Sequence, residues 1–398
     1  MPPSLLPIRD VEMTEKFDRL AFAPEEYLAR RDALRALMVK RGIDVVVLTT
    51  TENTYYLTGF GSLAYGATAL VMRVDGKAVW VMRRTELSNV RALADQLWVN
   101  EGIGVADGDS HAEVLNTAIA DLADANAVVA MEFAAVQPIL RGFVGPRNDG
   151  RKLVDASGLV EHLRRIKSTA EIDLMKRAGV MAARACRDGF EALTEGITDS
   201  ALAAVVTDSL LRNGSGRMAQ MPNVCAGPRS ARAHVTWCGA PILRGDLINI
   251  EPAASVHDYH TPIYRFYSIG APQDIVRRMF DVCRSSLDEG YARIRPGMTS
   301  HEAARIFETV IEKAGFAEYM VTRPAYSIGA AFPPGWGEDN VMAIRSGNEQ
   351  LLEEGMCFHV VPCLYRDGIG CVAASMPSVL THNGFESLSQ DEVVFGIK

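Results

Sequence analysis

The chain has 398 residues, 48% of them hydrophobic and 23% charged, with a formal net charge of −8. That length exceeds one ordinary domain and predicts two or three. The balance, with both signs interspersed, argues against nucleic acid or an anionic membrane surface as the main partner. No stretch approaches the apolar length of a membrane span, and the N-terminus lacks the pattern of a secretory signal, so the expected compartment is the cytoplasm. Seven cysteines, an odd number with no CxxC, suggest neither a disulfide framework nor a thiolate zinc site. Most read as small buried hydrophobes.

Residues 1–22 read as an arm with three prolines. Pro24 opens a helix with Leu28, Leu34, Leu37 and Met38 on one face, and Gly42 is its expected C-cap. The valine-rich run 43–50 predicts a buried strand. The Asp75-Gly76 pair predicts a hairpin between two apolar runs. A helix from Glu86 to about Asp95, a strand near 97–99, a helix 111–124 and a strand 127–133 continue the alternation. This predicts an α/β domain over 23–160.

Ser168 with Glu171 three residues on forms a capping box before a long helix. Three more amphipathic helices follow, the last capped by Thr299 or Ser300. Between them lie two strand-like runs, one ending at Glu251 and one over 263–269, separated by what reads as turn. From Tyr326 onward the chain predicts short strands. The expectation is an α+β second domain over 161–398.

The stretch 234–265, HVTWCGAPILRGDLINIEPAASVHDYHTPIYR, gathers His234, Glu251, His257 and His260. A carboxylate ending an apolar strand is costly to bury without a partner. Glu251 therefore reads either as a group that orients a histidine or a cationic substrate, or as half of an ion pair with a residue such as Arg265. Histidine titrates near neutral pH and suits general acid–base work; a satisfied structural role is the alternative for each. Trp336 and Glu338, in a Pro-Pro-Gly-Trp-Gly turn, read either as a holder for a cationic group by cation–π contact and charge or as a rigid turn. Cys238, four residues after His234, and Cys371 are minor candidates for a nucleophile.

Several passages together resemble the creatinase and Xaa-Pro peptidase superfamily: TYYLTGF, RRIKSTAEIDLMKRAG, RAHVTWCGAPILRGDLINIEPA, YHTPIYR, and AYSIGAAFPPGWGE with CFHVVP behind it. The last three look most like ectoine hydrolase within it. The resemblance implies a creatinase-type N-terminal domain and a C-terminal pita-bread domain. It also implies a homodimer in which the partner's N-terminal domain helps to close the site, with Tyr65 among the closing residues. The superfamily's peptidases hold two metal ions with five side chains. In that register this chain has Glu251, Pro262, Tyr326, Val361 and Ala374, so the expectation is no metal and no cofactor. A mononuclear site on Glu251, His257 and His260 is the alternative.

The resemblance implies that His234 is the acid–base group. Glu251, His260 and Tyr326 are then expected to position and polarise, with Tyr326 able to donate to an oxyanion. Trp237, Tyr264, Trp336, Glu338 and His359 are expected at the substrate, His359 facing either the site or the core. The implied activity is metal-independent hydrolysis of a non-peptide C–N bond, in an amidine or amide of a small zwitterionic compound. A lyase on the same scaffold and a small-molecule-binding protein are the alternatives.

Overall fold

The computed structural model describes residues 20–62, 68–135, 150–232 and 235–398. The chain forms two compact units that part between Leu163 and Arg164.

The first unit is built on a six-stranded sheet in the order Gly102–Val105, Ala78–Arg83, Ala69–Arg73, Val45–Leu48, Val128–Met131, Lys152–Asp155. The Ala69–Arg73 and Ala78–Arg83 strands form the hairpin expected at Asp75-Gly76, with Gly76 at φ 97°. Leu34, Met38, Val46, Leu70 and Trp80 build the core on one face of the sheet, while Val45, Val47, Leu115 and Ile119 build that on the other.

One helix was not anticipated and two local expectations need correction. TENTYYLT is a helix, Thr51–Thr58, closed by Gly59 in the left-handed region. It is held by buried Asn53, whose amide donates to Glu132 at 2.5 Å and to Glu161 at 3.0 Å. The 86–95 helix is shorter, a 3₁₀ turn Arg84–Glu86 followed by Leu87–Ala92. Residues 97–99 are not a strand. Leu97 and Val99 are buried as irregular chain, Val99 accepting from the Trp80 indole, and the strand lies at Gly102–Val105.

In the second unit the long helices are Thr169–Ala192, Asp199–Arg212, Asp274–Arg293 and Ser300–Lys313. Capping boxes at Ser168/Glu171 and Thr299/Glu302 start the first and last of these. Among the described residues the larger sheets are a four-stranded one and a five-stranded one. The four-stranded order is Phe395–Ile397, Arg265–Ser268, Leu247–Glu251, Asn223–Ala226. The five-stranded order is Ala343–Ile344, Ala325–Ser327, Cys357–Val360, Met376–Thr381, Gly384–Ser387.

The segment between Glu251 and Ile263 is not plain turn. It is a second hairpin, Ala253–Val256 with Tyr259–Pro262, turning at His257 and Asp258 with φ 49° and 58°. Positive φ at both central residues is the mark of a type I′ turn, whose twist matches that of the strands. The hairpin packs on the Thr169–Ala192 helix, where Tyr259 Oη donates to Glu171 at 2.8 Å and Thr261 Oγ1 to the Met175 carbonyl at 2.7 Å.

Candidate active site

Within the second unit a cavity of about 290 Å³ opens over the Leu247–Glu251 strand. Its polar wall is Gln220, Asn223, Asn249, Glu251, Arg232 and Arg323. Tyr264, Tyr326 and Trp336 supply its aromatic wall, and Cys225, Cys363 and Cys371 also line it. The size suits a small molecule.

Glu251 is the one carboxylate among the described lining residues. Its register partner across the sheet is Asn223, whose amide donates to Oε2 at 3.0 Å. Burial pushes its carboxyl up from 4.5 to about 7, and the Asn223 hydrogen bond offsets only part of that. The expected alternative, an ion pair with Arg265, is not formed: Arg265 bonds Asp391 and the Ser375 carbonyl instead.

Tyr326 and His359 face each other across paired strands. Tyr326 Oη accepts from Trp336 Nε1 at 3.0 Å and lies 2.7 Å from His359 Nδ1; His359 Nε2 lies 2.6 Å from Ser375 Oγ. Ser375 Oγ also accepts from the Tyr264 N–H at 3.0 Å. Burial holds the His359 imidazole down at about 3, so it is neutral, with one nitrogen protonated. Two proton arrangements satisfy the chain. In one, Tyr326 donates to His359 and His359 to Ser375. In the other, Ser375 donates to His359 and His359 to Tyr326, which frees the phenol proton for the cavity. Arg323 pairs with Asp339 and lies 4.5 Å over the Tyr326 ring.

Other expected site residues fall elsewhere. His260 is fully buried. Its Nε2 accepts from the Ala219 N–H at 2.9 Å and its Nδ1 lies 2.8 Å from the Asp258 carbonyl, so both ring nitrogens serve the backbone and none faces the cavity. Burial lowers its pKa to about 4. Glu338 does not sit with Trp336 at the cavity. It is buried against Arg164 at 2.5 Å and Lys167 at 2.9 Å, which keep its carboxyl below its usual range despite burial. Gly329 is what admits this cluster, since a Cβ there would stand 2.9 Å from the Glu338 carboxylate. His359 stands behind Tyr326 rather than in the lining, and half-buried Trp237 is not part of the lining either. His234 and Tyr65 lie outside the described residues.

The sequence reading missed Asp199. Its buried carboxylate accepts the N–H groups of Cys238, Gly239 and Ala240 at 2.7–3.1 Å, anchoring the loop that follows Val235, Thr236 and Trp237. It also missed Arg232, exposed at the cavity, and the amides Gln220 and Asn249. No periodicity marks such residues, because their role depends on chain segments distant in sequence.

The donor set does not match the dinuclear metal centre that the resemblance implies. Pro262 and Ala374 are buried without a donor side chain, and Val361 presents only methyl groups. The Tyr326 oxygen is committed to Trp336 and His359. Glu251 remains alone, and among the described residues no group of three or more His, Cys, Asp or Glu is placed to hold a metal ion. The alternative trio fails as well, since both ring nitrogens of His260 are engaged by the backbone. These residues do not fit the group.

Comparison with known proteins agrees with the architecture. Residues 30–166 match the creatinase/prolidase N-terminal domain, and residues 173–381 match metallopeptidase family M24. The chain is 28% identical to ectoine hydrolase of Halomonas elongata, over 93% of this chain and 96% of that one. It is 29% identical to an Xaa-Pro dipeptidase of Lactobacillus delbrueckii, over 58% and 62%. The crystal structure of a prolidase from Thermococcus sibiricus superposes with a TM-score of 0.83 at 20% identity, covering 94% of this chain and 99% of that one. The chain therefore belongs to the M24 family of hydrolases, with a creatinase-type α/β domain followed by the pita-bread domain.

Proposed function

We propose that the cavity hydrolyses a non-peptide C–N bond, of amidine or amide type, in a small zwitterionic compound, and that it does so without a metal. The observation that carries this reading is Glu251: the one carboxylate among the described lining residues, its pKa brought to about 7 by burial. A general acid–base group works best with its pKa near the operating pH. The resemblance assigns that work to His234; the geometry supports Glu251.

Ionised Glu251 takes a proton from water as the water oxygen bonds to the amidine carbon. The tetrahedral carbon then expels its amine, which receives the proton back from the Glu251 carboxyl, leaving an amide and an amine. Tyr326, with its phenol proton released toward the cavity, donates to the atom that gains electron density. The aromatic faces of Tyr264 and Trp336 suit a delocalised cation, and Arg232 suits the carboxylate at the other end of a zwitterion. Ectoine hydrolase, by its name, acts on ectoine; a compound of that kind belongs to the class this cavity fits. A dipeptidase reading rests on the names of relatives such as that from Lactobacillus delbrueckii, and the donor set does not support it.

The test is incubation of the protein with ectoine, creatine and related cyclic and linear amidines, with and without a chelator, alongside Glu251→Gln and His234→Ala. The reading expects turnover of at least one amidine that survives chelation and is lost in Glu251→Gln. Turnover abolished by chelator overturns the metal-free reaction. Full activity in Glu251→Gln with none in His234→Ala returns the acid–base role to His234. Saturable binding without product from any candidate removes the hydrolase reading.

A further inference from the structure

The strands Cys363–Arg366 and Gly370–Ala373 form a hairpin that carries two thiols. Cys363 pairs with Ala373 and Tyr365 with Cys371, so the two cysteines are diagonal neighbours on one face, with their Sγ atoms 3.4 Å apart. Both are half-buried and both line the cavity, which gives small polar reagents a route to them. The Tyr264 hydroxyl stands 4.0 Å from Cys371 Sγ. The third lining cysteine, Cys225, is buried and engaged 2.8 Å from Asn249 Oδ1. Cys186, Cys283 and Cys357 are buried, and Cys238 is exposed.

We propose that Cys363 and Cys371 form a peroxide-reactive dithiol, a reversible modification site in the cavity wall. The Cys371 thiolate attacks one peroxide oxygen and the O–O bond breaks, giving a sulfenic acid on Cys371 and hydroxide. The Cys363 sulfur then attacks the sulfenic sulfur. An S–S bond forms, and the hydroxyl leaves with the Cys363 proton as water. Two thiols lose two electrons, and one peroxide becomes two waters, the hydroxide taking up the proton that Cys371 first released. Cys371 is the attacking member because the contact it shares with Cys363 and the Tyr264 hydroxyl pointed at it hold its thiol below the usual range, while Cys363 is held well above its own.

Diagonal partners have Cα atoms about 7–8 Å apart, somewhat beyond the usual span of a disulfide, so closing the bond requires the two strands to shear. This hairpin can do so because, among the described residues, it is a two-stranded sheet bonded to no other strand. A bond made under such strain is readily reduced. Closing it draws Cys371 from Tyr264 and reshapes the wall shared with Glu251.

The test uses the full chain treated with one equivalent of hydrogen peroxide, alkylated and mapped without reduction. The expected product is a cross-link between Cys363 and Cys371, reversed by dithiothreitol, with Cys238 still alkylated. Cys363→Ser should stop at a sulfenic acid on Cys371, trapped by dimedone. Cys371→Ser should slow peroxide consumption by roughly tenfold or more. Oxidation of Cys238 with both cavity thiols left free, or unchanged peroxide consumption in Cys371→Ser, overturns the proposal. The readout is thiol state, so its failure is independent of the hydrolase reading.

Discussion

Replacing Glu251 with glutamine isolates the cost of keeping a carboxyl in this cavity. Burial moves its pKa from 4.5 to about 7, which corresponds to roughly 3 kcal/mol against the ionised form. Because Glu251 faces an open cavity, solvent screening reduces this to about 1–3 kcal/mol. The sign follows from linkage. The folded carboxyl binds its proton more tightly than the unfolded one. The wild type therefore carries no penalty below pH 4.5 and loses stability progressively as pH rises toward 7, after which the loss is constant. E251Q has no such proton. Urea unfolding of both chains between pH 4 and 8 should show E251Q gaining on the wild type across that window, with a plateau above pH 7. A stability difference that stays flat with pH, or that favours the wild type increasingly at high pH, refutes the account of Glu251 as a desolvated acid. The same titration should appear in kcat/KM for a turned-over substrate, as an activity that rises with pH through about 7.

Three further outcomes test the surroundings. Glu338→Ala leaves Arg164 and Lys167 buried without their partner and should cost about 3–5 kcal/mol, read by thermal or urea unfolding; a loss below about 1 kcal/mol contradicts the ion cluster. His359→Phe removes one of the two groups that hold the Tyr326 hydroxyl and should lower kcat by roughly tenfold. Since that imidazole stays neutral above about pH 3, the shape of the pH profile between 5 and 9 should not change; a shifted profile would make His359 itself the titrating group. Arg232→Ala should raise KM about tenfold or more for a substrate bearing a carboxylate, with kcat little altered; equal losses for a carboxamide analogue would remove its role as anion anchor.

Much of the fold was legible because local rules and packing agree there. Ser168 with Glu171 starts a helix as expected, and of the two caps expected for the last long helix, Thr299 or Ser300, the structure uses Thr299, boxed with Glu302. The Thr51–Thr58 helix was not legible, because its polar sequence is held by partners at Glu132 and Glu161, far along the chain. The Gly102–Val105 strand is poor in β-formers and is placed by parallel pairing with Ala78–Arg83, while the more strand-like 97–99 is spent on core packing. At the site, Glu251 stood out as a carboxylate at the end of an apolar run. Glu338 misled because its neighbour in sequence is Trp336, whereas its neighbours in space are cations more than 170 residues upstream. His260 misled because both partners of its ring are backbone groups, which leave no mark on the side-chain pattern.

The Asp199 anchor bears on how such a pocket can change over generations. Its carboxylate accepts from three backbone N–H groups of this loop, those of Cys238, Gly239 and Ala240. Main-chain donors are common to every residue except proline. The path of this loop is therefore fixed without reference to the side chains it displays. Substitutions at Val235 or Thr236 can then alter what the loop offers a bound molecule without releasing it from its tether. A scaffold clamped through its main chain leaves its specificity free to drift, which is one physical route by which a single architecture comes to include relatives named Xaa-Pro dipeptidase and ectoine hydrolase.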